Sequence, residues 1–105
     1  MMFLQDLHVP FVRIMGCTSA ELQAWLPRAL PGAELTLAVA ADAGRCSAGF
    51  AQGSLLIEWR ALAPRRIALL SIPQLEVRFA YEGLELQQRH AIQTAFDLAT
   101  QRGGG

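Results

Sequence analysis

Two cysteines, Cys17 and Cys46, and two histidines, His8 and His90, are the side chains best suited to nucleophilic, redox or metal chemistry. Cys17 stands just before Thr18-Ser19-Ala20-Glu21, a capping-box pattern that opens a helix. Unpaired N–H groups and the helix dipole at such a position favour a thiolate, and His8 or His90 would have to serve as its base. The simpler reading is a small apolar residue packed where the helix begins, because free Cys is among the most buried residue types. The four residues together would make a Cys2His2 zinc set. Their spacings match no zinc-ligand pattern, so neither a metal nor a cofactor is expected.

Glu58, Arg60, Glu76, Arg78 and Glu82 form a second group with acid/base potential. Opposite charges alternating along strands more often make cross-strand pairs, worth roughly 0.2 to 1 kcal/mol each. Lys and Asn are absent and all nine basic residues are Arg, which removes a P-loop lysine, a Schiff-base lysine and a catalytic Asn. With no glycine loop and no Ser-His-Asp set, no residue is assigned a catalytic role. The chain ends Gln101-Arg102-Gly103-Gly104-Gly105. Glycine-ended tails are presented by ubiquitin-like modifiers and sulfur carriers, but those run from a strand into the tail, whereas a helix precedes it here. A frayed helix end is the simpler reading.

A chain of 105 residues, 52% hydrophobic and only 17% charged, suits one folded domain over residues 1–102 followed by a glycine tail at 103–105. Zero formal net charge leaves no electrostatic footprint for nucleic acid or an anionic membrane. No apolar run reaches the ~18 residues that a membrane span needs. A cytoplasmic protein is the expectation.

The elements that must position these residues follow from periodicity. A first strand is expected over residues 3–15, bent at Pro10. The capping box then starts a helix with Leu22, Trp25, Leu26 and Ala29 on one stripe, which Pro27 should kink or end and Pro31-Gly32 should stop. Leu35, Leu37, Val39 and Ala41 alternate as a strand, with a turn at Asp42–Arg45. Cys46, Ala48 and Phe50 share a face of the next strand; Leu55, Ile57, Trp59 and Ala61 share a face of the one after. Ala63–Arg66 reads as a turn into one long strand, Arg66–Glu82. Its apolar phase slips at Pro73-Gln74, where a β-bulge is expected. Glu85–Arg102 reads as a helix carrying Gln88, Ala91, Ile92, Ala95, Phe96 and Ala99 on one face.

This order, β-α-β-β-β-β-α, predicts an α+β fold: an antiparallel sheet of four to five strands with two helices on one face, similar in order to helix-grip domains. The sheet face opposite Trp59 carries Leu56, Leu62, Ile67 and Leu69 where a one-sided sheet should be polar. Those four are therefore the candidate interface, with a homodimer or another protein as the partner; the N-terminal segment or a loop folded over the patch is the simpler reading. The alternative is a small apolar ligand held between sheet and C-terminal helix by Trp59, Phe79, Tyr81, Ile92 and Phe96. The expectation is a non-enzymatic interaction module that self-associates through a sheet face; tail chemistry is a distant third.

The combination Arg65-Arg66-Ile67-Ala68-Leu69-Leu70, Val77-Arg78-Phe79-Ala80-Tyr81-Glu82-Gly83-Leu84, Phe96-Asp97-Leu98 and the Gln101–Gly105 ending resembles small uncharacterised proteins of Gram-negative bacteria. The resemblance covers the chain from Arg65 onward. It implies a bacterial, stand-alone domain and no particular activity.

Overall fold

Alternating apolar residues build five strands, and two helical stripes cover one side of them. In the computed structural model, which describes residues 9–101, the order is β1 (Phe11–Met15), α1 (Ser19–Ala29), β2 (Glu34–Val39), β3 (Ala43–Phe50), β4 (Gly53–Ile67), β5 (Leu70–Glu82) and α2 (Leu86–Gln101). The strands form one antiparallel sheet in the spatial order β1-β5-β4-β3-β2. The expected α+β fold and element order are therefore present. Of the first strand expected over residues 3–15, the part before residue 9 lies outside the described residues.

The helix-side face of the sheet holds the core. Leu55, Ile57 and Trp59 of β4, Leu75, Val77 and Phe79 of β5, and Cys46 and Ala48 of β3 pack with Leu22, Leu26 and Ala29 of α1 and Phe96 of α2. Phe79 is the hub. It stacks on Phe11 with ring centroids 5.0 Å apart and meets Phe96 edge-on at 5.2 Å. Both geometries add to simple area burial. Trp59 closes the other end of the layer by donating from Nε1 to Ser19 Oγ of α1 at 2.8 Å.

The capping box forms in full. Thr18 N–H donates to Glu21 Oε1 at 2.9 Å, and Glu21 N–H donates to Thr18 Oγ1 at 3.1 Å. Pro27 neither ends nor shortens α1, which runs on to Ala29. Close to the helix end, a residue without an N–H costs one backbone bond, and buried Leu26 and Ala29 hold the last turn in place. At the opposite end of the sheet, Gly53 lies against the β5 terminus so closely that a Cβ would fall on the Glu82 carbonyl oxygen. Gly83 leaves that strand with φ of +80°, a conformation only glycine adopts freely.

Three expectations need correction. The turn placed at Ala63–Arg66 is continuous strand: β4 extends to Ile67 and the chain reverses at Ala68-Leu69. Leu62 accordingly pairs with Gln74 and Ile67 with Leu70, not Leu62 near Ile67. The extra residue also sits on the other strand. Between Leu62↔Gln74 and Arg65↔Ile72, β4 advances three residues while β5 advances two, so Ala63-Pro64 bulges opposite Pro73. Two prolines facing each other leave the ladder without donors there, which is where a bulge costs least. On β2 the alternation holds only to Val39: Ala41 lies in the turn, which falls at residues 40–42, and residues 43–45 are already strand β3, while Leu37 and Val39 remain 41% and 46% exposed on the helix side. The helix layer does not reach that edge.

Candidate interaction face

The register fixes which side chains share the face away from the helices, because directly paired residues in an antiparallel sheet point the same way. Along β4 and β5 this open face reads in rows: Ser54 with Glu82, Leu56 with Ala80, Glu58 with Arg78, Arg60 with Glu76, and Leu62 with Gln74. Beyond the bulge come Arg65 with Ile72 and Ile67 with Leu70. Val12 and Ile14 of β1 flank the Arg78 and Glu76 rows, and Arg45 of β3 flanks Glu58. On the outer side of the Ser54 row, Gly49 leads to Glu34 of β2.

The middle of this face is charged and internally paired. Arg78 donates to Glu58 at 3.2 Å, Arg45 lies 3.8 Å from the same carboxylate, and Arg60 donates to Glu76 at 2.7 Å. These cross-strand pairs are solvent-accessible and each is worth at most about 1 kcal/mol. They do not gather into an acid/base site. The flanks are apolar: Val12 and Ile14 are 52% and 51% exposed.

Past the Arg60 row the sheet narrows to two strands, since β3 pairs no further than Arg60 and β1 no further than Leu75. The last backbone tie to a neighbour is Ala61 N–H to the Asp42 carbonyl at 2.7 Å, and the hairpin from Leu62 to Gln74 projects beyond it as an arm whose two backbone edges are unpaired among the described residues. Its apolar residues are largely in solvent: Ile67 is 44%, Leu70 64% and Leu69 101% exposed. Of the four residues expected at an interface, Leu56, Leu62 and Ile67 share the open face, and Leu69 occupies the arm tip. Leu70 and Ile72 join them. Periodicity alone puts those two on the opposite side, because it places the extra residue in β5.

The five residues expected to line a ligand pocket do not enclose one. Phe79 and Phe96 are fully buried against each other and Trp59 is 3% exposed, so their rings fill the layer. Tyr81 and Ile92 are half-buried at its margin. Ile92 lines a separate cleft of about 220 Å³, together with Leu30, Phe50 and Ala95, and Trp59 borders another of about 550 Å³ with Val39, Gly44 and Arg60. Pockets for small molecules commonly span roughly 300 to 1,000 Å³.

Tyr81 belongs instead to a polar chain missed by sequence reasoning. Its hydroxyl donates to Gln93 Oε1 at 2.7 Å, Gln93 Nε2 donates to Asp97 Oδ1 at 3.1 Å, and Arg13 donates to both carboxylate oxygens of Asp97. The Arg13 guanidinium also lies 5.6 Å from the ring centroids of Phe11 and Phe79. Burial first, then the nearby Asp97 carboxylate, push the Tyr81 hydroxyl well above its ordinary range. The signal was present in Phe11-Val12-Arg13-Ile14-Met15: alternation puts Arg13 on the apolar side, where a cation needs an acid.

Cys17 is fully buried, and burial, followed by the Glu21 carboxylate, pushes its thiol up to about 11. That is the reverse of what a nucleophile needs. Cys46 is likewise buried and free, with its thiol raised by burial. Among the described residues no group of three or more His, Cys, Asp or Glu side chains could hold a metal ion. His8 and the Gly103–Gly105 tail lie outside the described residues. Among those residues no helix is long and apolar enough to cross a membrane. No family model, curated protein or solved structure matches this chain.

Proposed function

We propose that this chain is a non-enzymatic interaction module that associates with a second copy of itself through the open sheet face and its projecting arm. The observation that carries this reading is the arm. Two strands alone are marginally stable in water, yet this hairpin extends beyond the sheet with Ile67, Leu70 and Leu69 at its end in solvent. A contiguous exposed apolar patch rimmed by charge is the usual mark of a protein interface. The ligand alternative has less support, since Phe79 and Phe96 fill the layer against each other and the five residues expected around a ligand share no single cleft among the described residues.

Sedimentation equilibrium over a wide concentration range tests the proposal. The wild-type protein should rise from monomer toward dimer mass, and the variant carrying Leu69→Glu and Leu70→Glu should remain monomeric with an unchanged far-ultraviolet spectrum. A wild-type chain that is monomeric at every concentration would remove the reading.

A further inference from the structure

The open face is complementary to itself when turned end for end, and from this we infer that two copies stack face to face with their strands running in opposite directions, the arm of each lying over the far end of the other. The inference rests on the self-association proposed above and adds its geometry.

The argument is the row order. Along β4 the open face reads Ser54, Leu56, Glu58, Arg60, Leu62, Arg65. Reversed about a two-fold axis that crosses the strands between the Glu58 and Arg60 rows, it sets Leu56 over Leu62, Glu58 over Arg60, and Ser54 over Arg65. Along β5 the same operation sets Arg78 over Glu76 and Ala80 over Gln74. On β1 it sets Val12 over Ile14. Leucine meets leucine, and the central Glu and Arg residues of β4 and β5 meet the opposite charge. The same operator relates every pair, as an isologous interface requires.

The ends decide between this arrangement and its rival. No acid occurs from Ala61 to Leu75, so the arm carries Arg65 and Arg66 uncompensated. The far end of the open face carries Glu82 and Glu34, in one row through Ser54 and Gly49. None of these four residues enters an ion pair among the described residues. A two-fold axis parallel to the strands would instead bring like ends together, the two Arg-bearing arms at one end of the pair and the two Glu82 and Glu34 rows at the other. The perpendicular axis sets each Arg65 beside Glu82 of the second copy. Like charges in contact oppose the first geometry and favour the second. Aligned sheets pack about 10 Å apart, a gap that long Arg and Glu side chains bridge.

Charge reversal tests this directly. Arg65→Glu and Glu82→Arg should each weaken self-association by about tenfold, because both symmetry-related contacts turn from attraction to repulsion. An equimolar mixture of the two variants should recover near-wild-type affinity as a heterodimer. The carboxylate introduced at position 65 of one copy then faces the guanidinium introduced at position 82 of the other, and the remaining contact is native. Arg66→Glu, on the opposite side of the arm with the same change in net charge, should have little effect. If the wild type dimerises but the mixture shows no recovery, or Arg66→Glu weakens binding as much as Arg65→Glu, the geometry is wrong while self-association stands. If the wild type never dimerises, the proposed function itself falls.

Discussion

Arg13 shows how a single residue ties the layers together. It stands on the apolar side of an edge strand, lies against two aromatic rings and ends in a bidentate contact with Asp97 of α2. The planar fork of Arg suits that geometry, whereas Lys would satisfy only part of it. The buried thiol of Cys17 is the residue with the clearest pH signature. Its folded pKa of about 11 exceeds the ordinary value of 9.0, so the fold favours the protonated form. Stability from this group is complete below pH 9.0 and is lost as pH rises through about 11. Tyr81, raised from 10.0, acts in the same direction at higher pH. Urea midpoints measured across that window should fall, and Cys17→Ala should flatten the decline. An equal slope in both proteins would exclude the assignment.

At the scale of elements, the arm is the part whose conformation carries the most local strain. Its two-residue loop has φ of +53° at Ala68, the first loop position, as a type II′ turn requires and as glycine would adopt more readily. Ala68→Gly should relieve strain on the order of 1 kcal/mol and slow hydrogen exchange in the arm without shifting the α1 amides. Faster exchange in the arm would contradict this reading of the turn. The helices have different supports. α1 carries a local support, its reciprocal cap, beside the packing of Leu22, Leu26 and Ala29 on the sheet and the Trp59 bond to Ser19, whereas α2 is held by Phe96 on Phe79 and Asp97 on Arg13.

The described residues make a two-layer structure with one sheet face covered by the helices and one left open, and Phe96 of α2 is a fully buried member of the core between them. Removing the Phe96 ring should cost about 3 to 5 kcal/mol, because the cavity would open beside a fully buried Phe79. Thermal unfolding of Phe96→Ala should therefore begin far below that of the wild type. A shift of only a few degrees would mean that the site collapses around the loss. The self-association proposed above would draw on the opposite face, so Leu69→Glu with Leu70→Glu should leave the monomer core and its thermal unfolding intact.

Element order was legible in the residues themselves, because periodicity of two or 3.6 and the Thr18–Glu21 cap are local. The inward faces of β3, β4 and the second half of β5 could be named for the same reason. The strand that carries the bulge could not be: Ala63-Pro64 and Pro73 lie opposite each other only once the hairpin has closed. Placing the slip in one strand or the other decides whether Leu70 and Ile72 face the helices or the open side. Local pattern marks Arg13 as a cation on an apolar face, but it could not name the partners Asp97, Gln93 and Tyr81, which lie on two other elements. The alternating charges of β4 and β5 were visible in the sequence. Only the paired register, which orders them into rows, reveals a face that matches its own reversal.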